Sequence, residues 1–112
     1  MPIERILVLE DELIVRKNLE QHLRNRGYEV AAAPSLALAR NLLAKDTYDL
    51  VLADVHLPDG EGTELLIHLQ ARAQKPIFIM MSGLGSIQTA VECMRNGAFD
   101  YFIKPFSNDQ LE

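Results

Sequence analysis

Three stretches of this chain are apolar without interruption: Ile6-Leu7-Val8-Leu9, Leu50-Val51-Leu52-Ala53 and Ile77-Phe78-Ile79-Met80-Met81. A strand with one face in water alternates apolar and polar residues, whereas an unbroken run suits a strand covered on both faces in a parallel sheet. A fourth run, Phe99 to Ile103, is broken by Asp100 and reads as a strand nearer an edge. A weaker fifth, Tyr28-Glu29-Val30-Ala31, follows Gly27 and reads as the other edge strand.

Segments of helical period lie between these runs. Val15, Leu19 and Leu23 fall at i, i+4 and i+8, with Gly27 placed as a C-terminal cap. Ser35 can cap a helix carrying Leu36, Ala39 and Leu43, and Leu65, Leu66 and Leu69 mark a third stripe. Ile87, Ala90, Val91 and Met94 give a fourth, with Asn96-Gly97 as its stop. A last helix is only begun at Ser107 to Glu112. Crossovers between parallel strands are right-handed, so helices cover both faces. The expectation is a doubly wound α/β domain with a five-stranded parallel sheet in the order 2-1-3-4-5. No repeat, low-complexity tract or linker interrupts it, and 112 residues suit a single domain.

Ordinary globular composition, 48% hydrophobic and 24% charged, argues against intrinsic disorder. The lone Cys93 cannot form an internal disulfide and reads as a partly buried, inert thiol. No apolar run reaches the roughly 20 residues that span a bilayer. The first residues lack a basic signal-peptide region, so a cytoplasmic, reducing compartment is expected, with no membrane partner. Sixteen acidic against eleven basic residues leave a charge of −5, which disfavours a nucleic-acid surface on this domain. His22 and His68 read as surface histidines, Met80-Met81 as core, and Arg24 with Arg26 as a small solvated basic face.

Each strand–helix junction carries something polar: Glu10-Asp11-Glu12 after the first strand, Asp54 closing the third, Ser82 after the fourth, and Lys104-Pro105 after the fifth. Ligands of open α/β sheets bind beyond the carboxyl strand ends, where the strand order reverses. Here that point lies between the first and third strands, the two ending in carboxylates. Glu10, Asp11 and Asp54 would crowd three negative charges together, which calls for a raised pKa or a cation. Hard oxygen ligands without a histidine or thiolate pair favour Mg²⁺. A carboxylate is also a competent nucleophile toward phosphorus, and Ser82 and Lys104 could neutralise the transferred oxygens. Lys104 would return one positive charge, leaving the site at about −2 before a metal enters. Taken singly, Asp54 would be a strand-end cap, Lys104 a solvated lysine and Ser82 a turn residue; only their convergence suggests more. Gly83-Leu84-Gly85 is too short for a nucleotide loop, and Pro58-Asp59-Gly60-Glu61-Gly62 reads as ordinary loop chemistry.

Together, Glu10-Asp11, Asp54 before Val55-His56-Leu57-Pro58-Asp59-Gly60, Ser82-Gly83 and Lys104-Pro105-Phe106 resemble the receiver domain of bacterial two-component response regulators. The resemblance covers essentially the whole chain. Ala90 to Tyr101 resembles receivers attached to activators that work with sigma-54 polymerase. The resemblance implies a flavodoxin-like fold, Asp54 as phosphoacceptor, and Mg²⁺ held by Asp11, Asp54 and the His56 backbone carbonyl, with Glu10 assisting through water. It implies that Ser82 and Lys104 hold phosphoryl oxygens, that Ser82 and Tyr101 form a switch, and that the Lys104-Pro105 bond is cis. His56 and Leu84 stand where the family tunes dephosphorylation. Ser82 replaces a common threonine and Glu10 a common aspartate.

The implied partners are a sensor histidine kinase, the chain's own C-terminal output domain and a second copy through the fourth-helix and fifth-strand face. The final helix would then run past Glu112, making residues 1–112 the N-terminal receiver of a longer chain. Such a domain is a switch that phosphorylates and dephosphorylates itself, without separate substrate turnover. Two other readings stay open on the residues alone. One is an aspartate-nucleophile phosphatase, although His56 stands where its second acid belongs. The other is a degenerate receiver used only for docking.

Overall fold

The computed structural model describes residues 3–72, 75–82 and 87–103. In chain order the elements are β1 (Arg5–Leu9), α1 (Leu13–Asn25), β2 (Glu29–Ala33), α2 (Leu36–Lys45), β3 (Leu50–Asp54), β4 (His56–Leu57), β5 (Gly60–Glu61), α3 (Gly62–Gln70), β6 (Ile77–Ser82), α4 (Ile87–Arg95) and β7 (Asp100–Ile103). The large sheet is parallel and runs β2-β1-β3-β6-β7. The expected order is therefore observed, with Asp100 opening an edge strand. The antiparallel pair β4–β5 is an addition: two residues per strand are too few to leave a period in the sequence.

Alternation along the strands divides the core in two. Leu7, Leu9, Val51, Ala53, Phe78 and Met80 pack against Leu36, Ala39 and Leu43 of α2, Leu65, Leu66 and Leu69 of α3, and Cys93 of α4. Ile6, Val8, Leu50, Leu52 and Met81 turn the other way, onto Leu19 and Leu23 of α1. Each fully buried leucine contributes about 1.5–3 kcal/mol relative to exposure. Unbroken apolar strands were needed because both faces are covered.

Helix ends follow local chemistry. Ser35 Oγ accepts the Leu38 N–H at 3.3 Å and starts α2. Gly27, with φ of 95°, turns the chain out of α1, and the Tyr28 N–H reaches back to the Leu23 carbonyl at 3.3 Å.

Helix α4 corrects one expectation. Val91 and Met94 face solvent at 42% and 47% exposure, while Cys93 is wholly buried. The small thiol faces the sheet, and the larger apolar residues are left outside. Burial pushes the Cys93 thiol above its ordinary pKa, with Glu92 adding to the shift, so it is held protonated.

Arg24 and Arg26 are exposed, as expected of a solvated face, yet Arg24 is also tied down. It pairs with Glu20 at 2.8 Å and donates to the Val30 carbonyl at 3.0 Å. His22 is half-buried rather than superficial, whereas His68 is exposed.

At the amino end of the sheet, acids meet donors. Asp49 accepts the backbone N–H groups of Glu4 and Arg5 at 2.9 and 3.0 Å, which hold its carboxyl below the usual aspartate range. Arg5 pairs with Glu29 at 3.1 Å and Asp46 at 3.6 Å.

Candidate functional site

Parallel register decides what meets at the other end. Leu9 of β1 lies across from Ala53 of β3, so Glu10 and Asp54, each one residue on, leave adjacent strands side by side. Asp54 in turn lies across from Met81 of β6, and Ser82 follows it. Because β2 adjoins β1 while α1 and α2 cover opposite faces, this is the place where the strand order reverses.

Glu10, Asp11 and Asp54 each bring a carboxylate oxygen within 4.8 Å of the others. Glu10 is 0% and Asp54 5% exposed, with Asp11 at the rim in solvent. Placing ionised carboxylates out of water costs several kcal/mol each unless countercharge and hydrogen bonds compensate. The donors are all hard oxygens, and the protein's single thiol is packed in the core beneath α4. This set suits a small hard divalent cation.

The surrounding backbone is fastened tightly. The Glu10 N–H continues the sheet ladder to the Ala33 carbonyl at 3.0 Å, and Glu10 Oε2 accepts the Glu12 N–H at 3.2 Å. His56 donates its N–H to Asp54 Oδ1 at 3.2 Å, fixing the carboxylate plane, while the imidazole is exposed. Ser82 is fully buried at the end of β6. Tyr101, across from Met80, packs against the same core as Phe78, and its buried hydroxyl has no hydrogen-bond partner among the described residues. Lys104, its bond to Pro105, and Leu84 lie outside the described residues.

Three residues matter that the sequence reading passed over. A Cβ on Gly62 would collide with the Asp54 carbonyl oxygen and come within 3.1 Å of Met80 Cε, so only glycine lets α3 start this close to the acceptor strand. Asp59 reaches from the β4–β5 turn to α2, accepting the Leu36 and Ala37 N–H groups at 2.9 and 3.0 Å. Those donors lower its pKa. Arg16 sends one guanidinium nitrogen to the carbonyls of both Glu10 and Asp11, at 3.0 and 3.3 Å. A legible signal existed for Arg16 alone: a cation in the opening turns of a helix opposes the helix dipole and therefore asks for another reason.

A family model described as the response regulator receiver domain matches residues 6–112. The response regulator protein PilR of Pseudomonas aeruginosa is 35% identical over 96% of this chain, which spans 24% of that protein's length. A response regulator from Burkholderia pseudomallei, solved with a phosphorylated aspartic acid, calcium ion and citrate, superposes with a TM-score of 0.89. It is 27% identical, with 96% of this chain and 64% of that one covered. The beryllofluoride-activated NtrC4 receiver domain, solved as a dimer, also gives 0.89, at 29% identity over 95% and 88% of the two chains. The chain therefore belongs to the response regulator receiver family, whose members act in phosphorylation-dependent two-component signalling.

Proposed function

We propose that Asp54 accepts a phosphoryl group from the phosphohistidine of a sensor kinase, with Mg²⁺ as cofactor, and that the resulting change is read by an output domain or partner. The observation that carries this reading is the meeting of Glu10, Asp11 and Asp54 where the strand order reverses. In the transfer, a carboxylate oxygen of Asp54 forms the new bond to phosphorus as the bond to the histidine nitrogen breaks. Asp11, Asp54 and the His56 carbonyl would hold the metal, with Glu10 acting through water. Bound Mg²⁺ supplies countercharge for the acids and for the entering phosphoryl oxygens. The His56 N–H orients Asp54, and Ser82 with Lys104 would receive the remaining oxygens. The Burkholderia protein's phosphorylated aspartic acid and its calcium ion support both halves of this chemistry.

Tyr101 and Ser82 form the proposed switch. A buried tyrosine hydroxyl with no partner among the described residues would cost about 1–3 kcal/mol if left unmet, which favours a second position for the ring. The solvent-facing Val91 and Met94 on α4 suit a second copy, and the NtrC4 dimer supports that partner. Leu13 and Ile14, 57% and 74% exposed at the start of α1, form an apolar rim beside the acids where a phosphodonor kinase would dock. His56 and Leu84 would tune loss of the phosphoryl group.

The domain would act in the cytoplasm as the N-terminal receiver of a longer protein. Its relatives' greater length and the Ala90–Tyr101 stretch support an output that activates sigma-54 polymerase. Among the described residues, no helix is long and apolar enough to cross a membrane. A phosphatase reading gains nothing, because the position two after Asp54 holds His56 and Asp54 closes β3 rather than β1. Incubation with acetyl phosphate and Mg²⁺ should add one phosphoryl mass to the protein, and Asp54→Asn should abolish the gain. Equal labelling of Asp54→Asn would overturn the assignment.

A further inference from the structure

We propose that Arg16 is a positioning residue that shapes the Glu10–Asp11 turn for a divalent cation and sets its preference for Mg²⁺ over Ca²⁺; this rests on the metal reading above. Arg16 sits one turn into α1, half-buried, where a cation opposes the helix dipole. Both hydrogen bonds of its guanidinium go to backbone carbonyls rather than to a carboxylate. One nitrogen, Nη1, bridges two successive carbonyls, those of Glu10 at 3.0 Å and Asp11 at 3.3 Å. Two neighbouring carbonyls turned toward one donor fix the peptide plane between these residues, and with it the direction in which each carboxylate leaves the chain. The Glu12 N–H, bonded to Glu10 Oε2 at 3.2 Å, holds the same turn from its other side.

Two roles for Arg16 make opposite predictions. A nearby positive charge that acted only through its field would weaken cation binding, so its removal would tighten Mg²⁺ and Ca²⁺ alike. A guanidinium that holds geometry would do the reverse, and unequally. Mg²⁺ demands near-octahedral ligands at short distance, whereas Ca²⁺ tolerates irregular ones, so loosening the turn should harm Mg²⁺ more. Lysine keeps the charge but not the planar fork.

The test is calorimetric titration of wild type, Arg16→Lys and Arg16→Ala with MgCl₂ and separately with CaCl₂, alongside thermal melts to verify folding. Arg16→Lys should bind Mg²⁺ about 10-fold more weakly, at the low end of the usual range for outer-sphere substitutions, while Ca²⁺ changes less than about twofold. Arg16→Ala should weaken Mg²⁺ at least as much. Unaltered Mg²⁺ binding in Arg16→Lys, equal losses for both ions, or tighter binding in Arg16→Ala would each overturn the proposal. Absence of Mg²⁺ binding in the wild type would instead overturn the metal reading, and this inference with it.

Discussion

The two ends of the sheet treat acidic side chains in opposite ways. At the amino end, Asp49 is answered by two backbone N–H groups, and Glu29 and Asp46 share Arg5. Those three acids are answered by donors that the fold itself supplies. At the carboxyl end, Glu10, Asp11 and Asp54 are drawn within 4.8 Å of one another. One arrangement is what folding alone would favour; the other gathers a charge density that a bound cation would relieve. The same residue types thus stabilise the fold at one end and store electrostatic work at the other.

The largest effect should come from breaking the close approach at the acidic end. Gly62→Ala drives a methyl into the Asp54 carbonyl and should lower stability by about 1–3 kcal/mol in urea unfolding, weakening Mg²⁺ binding as well. An unshifted midpoint would mean that α3 can slide without consequence. Next in size is a reversal between the ends. Asp11→Asn should raise metal-free stability by about 1 kcal/mol, or roughly 4 °C in a melt, and should remove most of the gain that Mg²⁺ gives the wild type. Asp49→Asn should instead lower the melting temperature, and two shifts of the same sign would erase the contrast.

The smallest effect concerns acid. Asp49 and Asp59 are both held below the ordinary aspartate pKa by backbone N–H donors. Their folded values lie under the unfolded ones, so their contribution is complete above the unfolded pKa of about 3.9. It disappears as pH falls through the lower folded values. Stability measured from pH 6 downward should therefore decline below about pH 4, with a shallower decline in the double variant Asp49→Asn, Asp59→Asn.

The strands and their order were legible because burial on two faces leaves an unbroken apolar run, as in Leu50–Ala53. The acids were legible because each ends such a run. The rotation of α4 was not, since its apolar residues cover more than one arc: Cys93 lies on the inner side and Val91 with Met94 on the outer. The sequence does not record which arc the sheet takes. Asp59 was hidden for another reason, because its partners Leu36 and Ala37 are 23 and 22 residues away, at the start of α2. Gly62 looked like loop chemistry because the atom that forbids a side chain there belongs to the backbone of Asp54. Lys104 and Leu84, named from the sequence, lie outside the described residues.

The hydrogen bond from Arg24 to Val30 has a consequence for assembly. Glu29 and Ala33 turn their backbone groups toward β1 and its extension, so Val30, one residue out of phase with them, turns its carbonyl to the open side of β2. An unpaired strand edge invites a strand from another molecule, and this one meets the visitor with a guanidinium already seated on an acceptor and braced by Glu20. Growth of the sheet through β2 would first have to evict that side chain. The outer arc of α4, with Val91 and Met94 in solvent, lies away from that guarded edge and carries no such side chain to displace among its described residues.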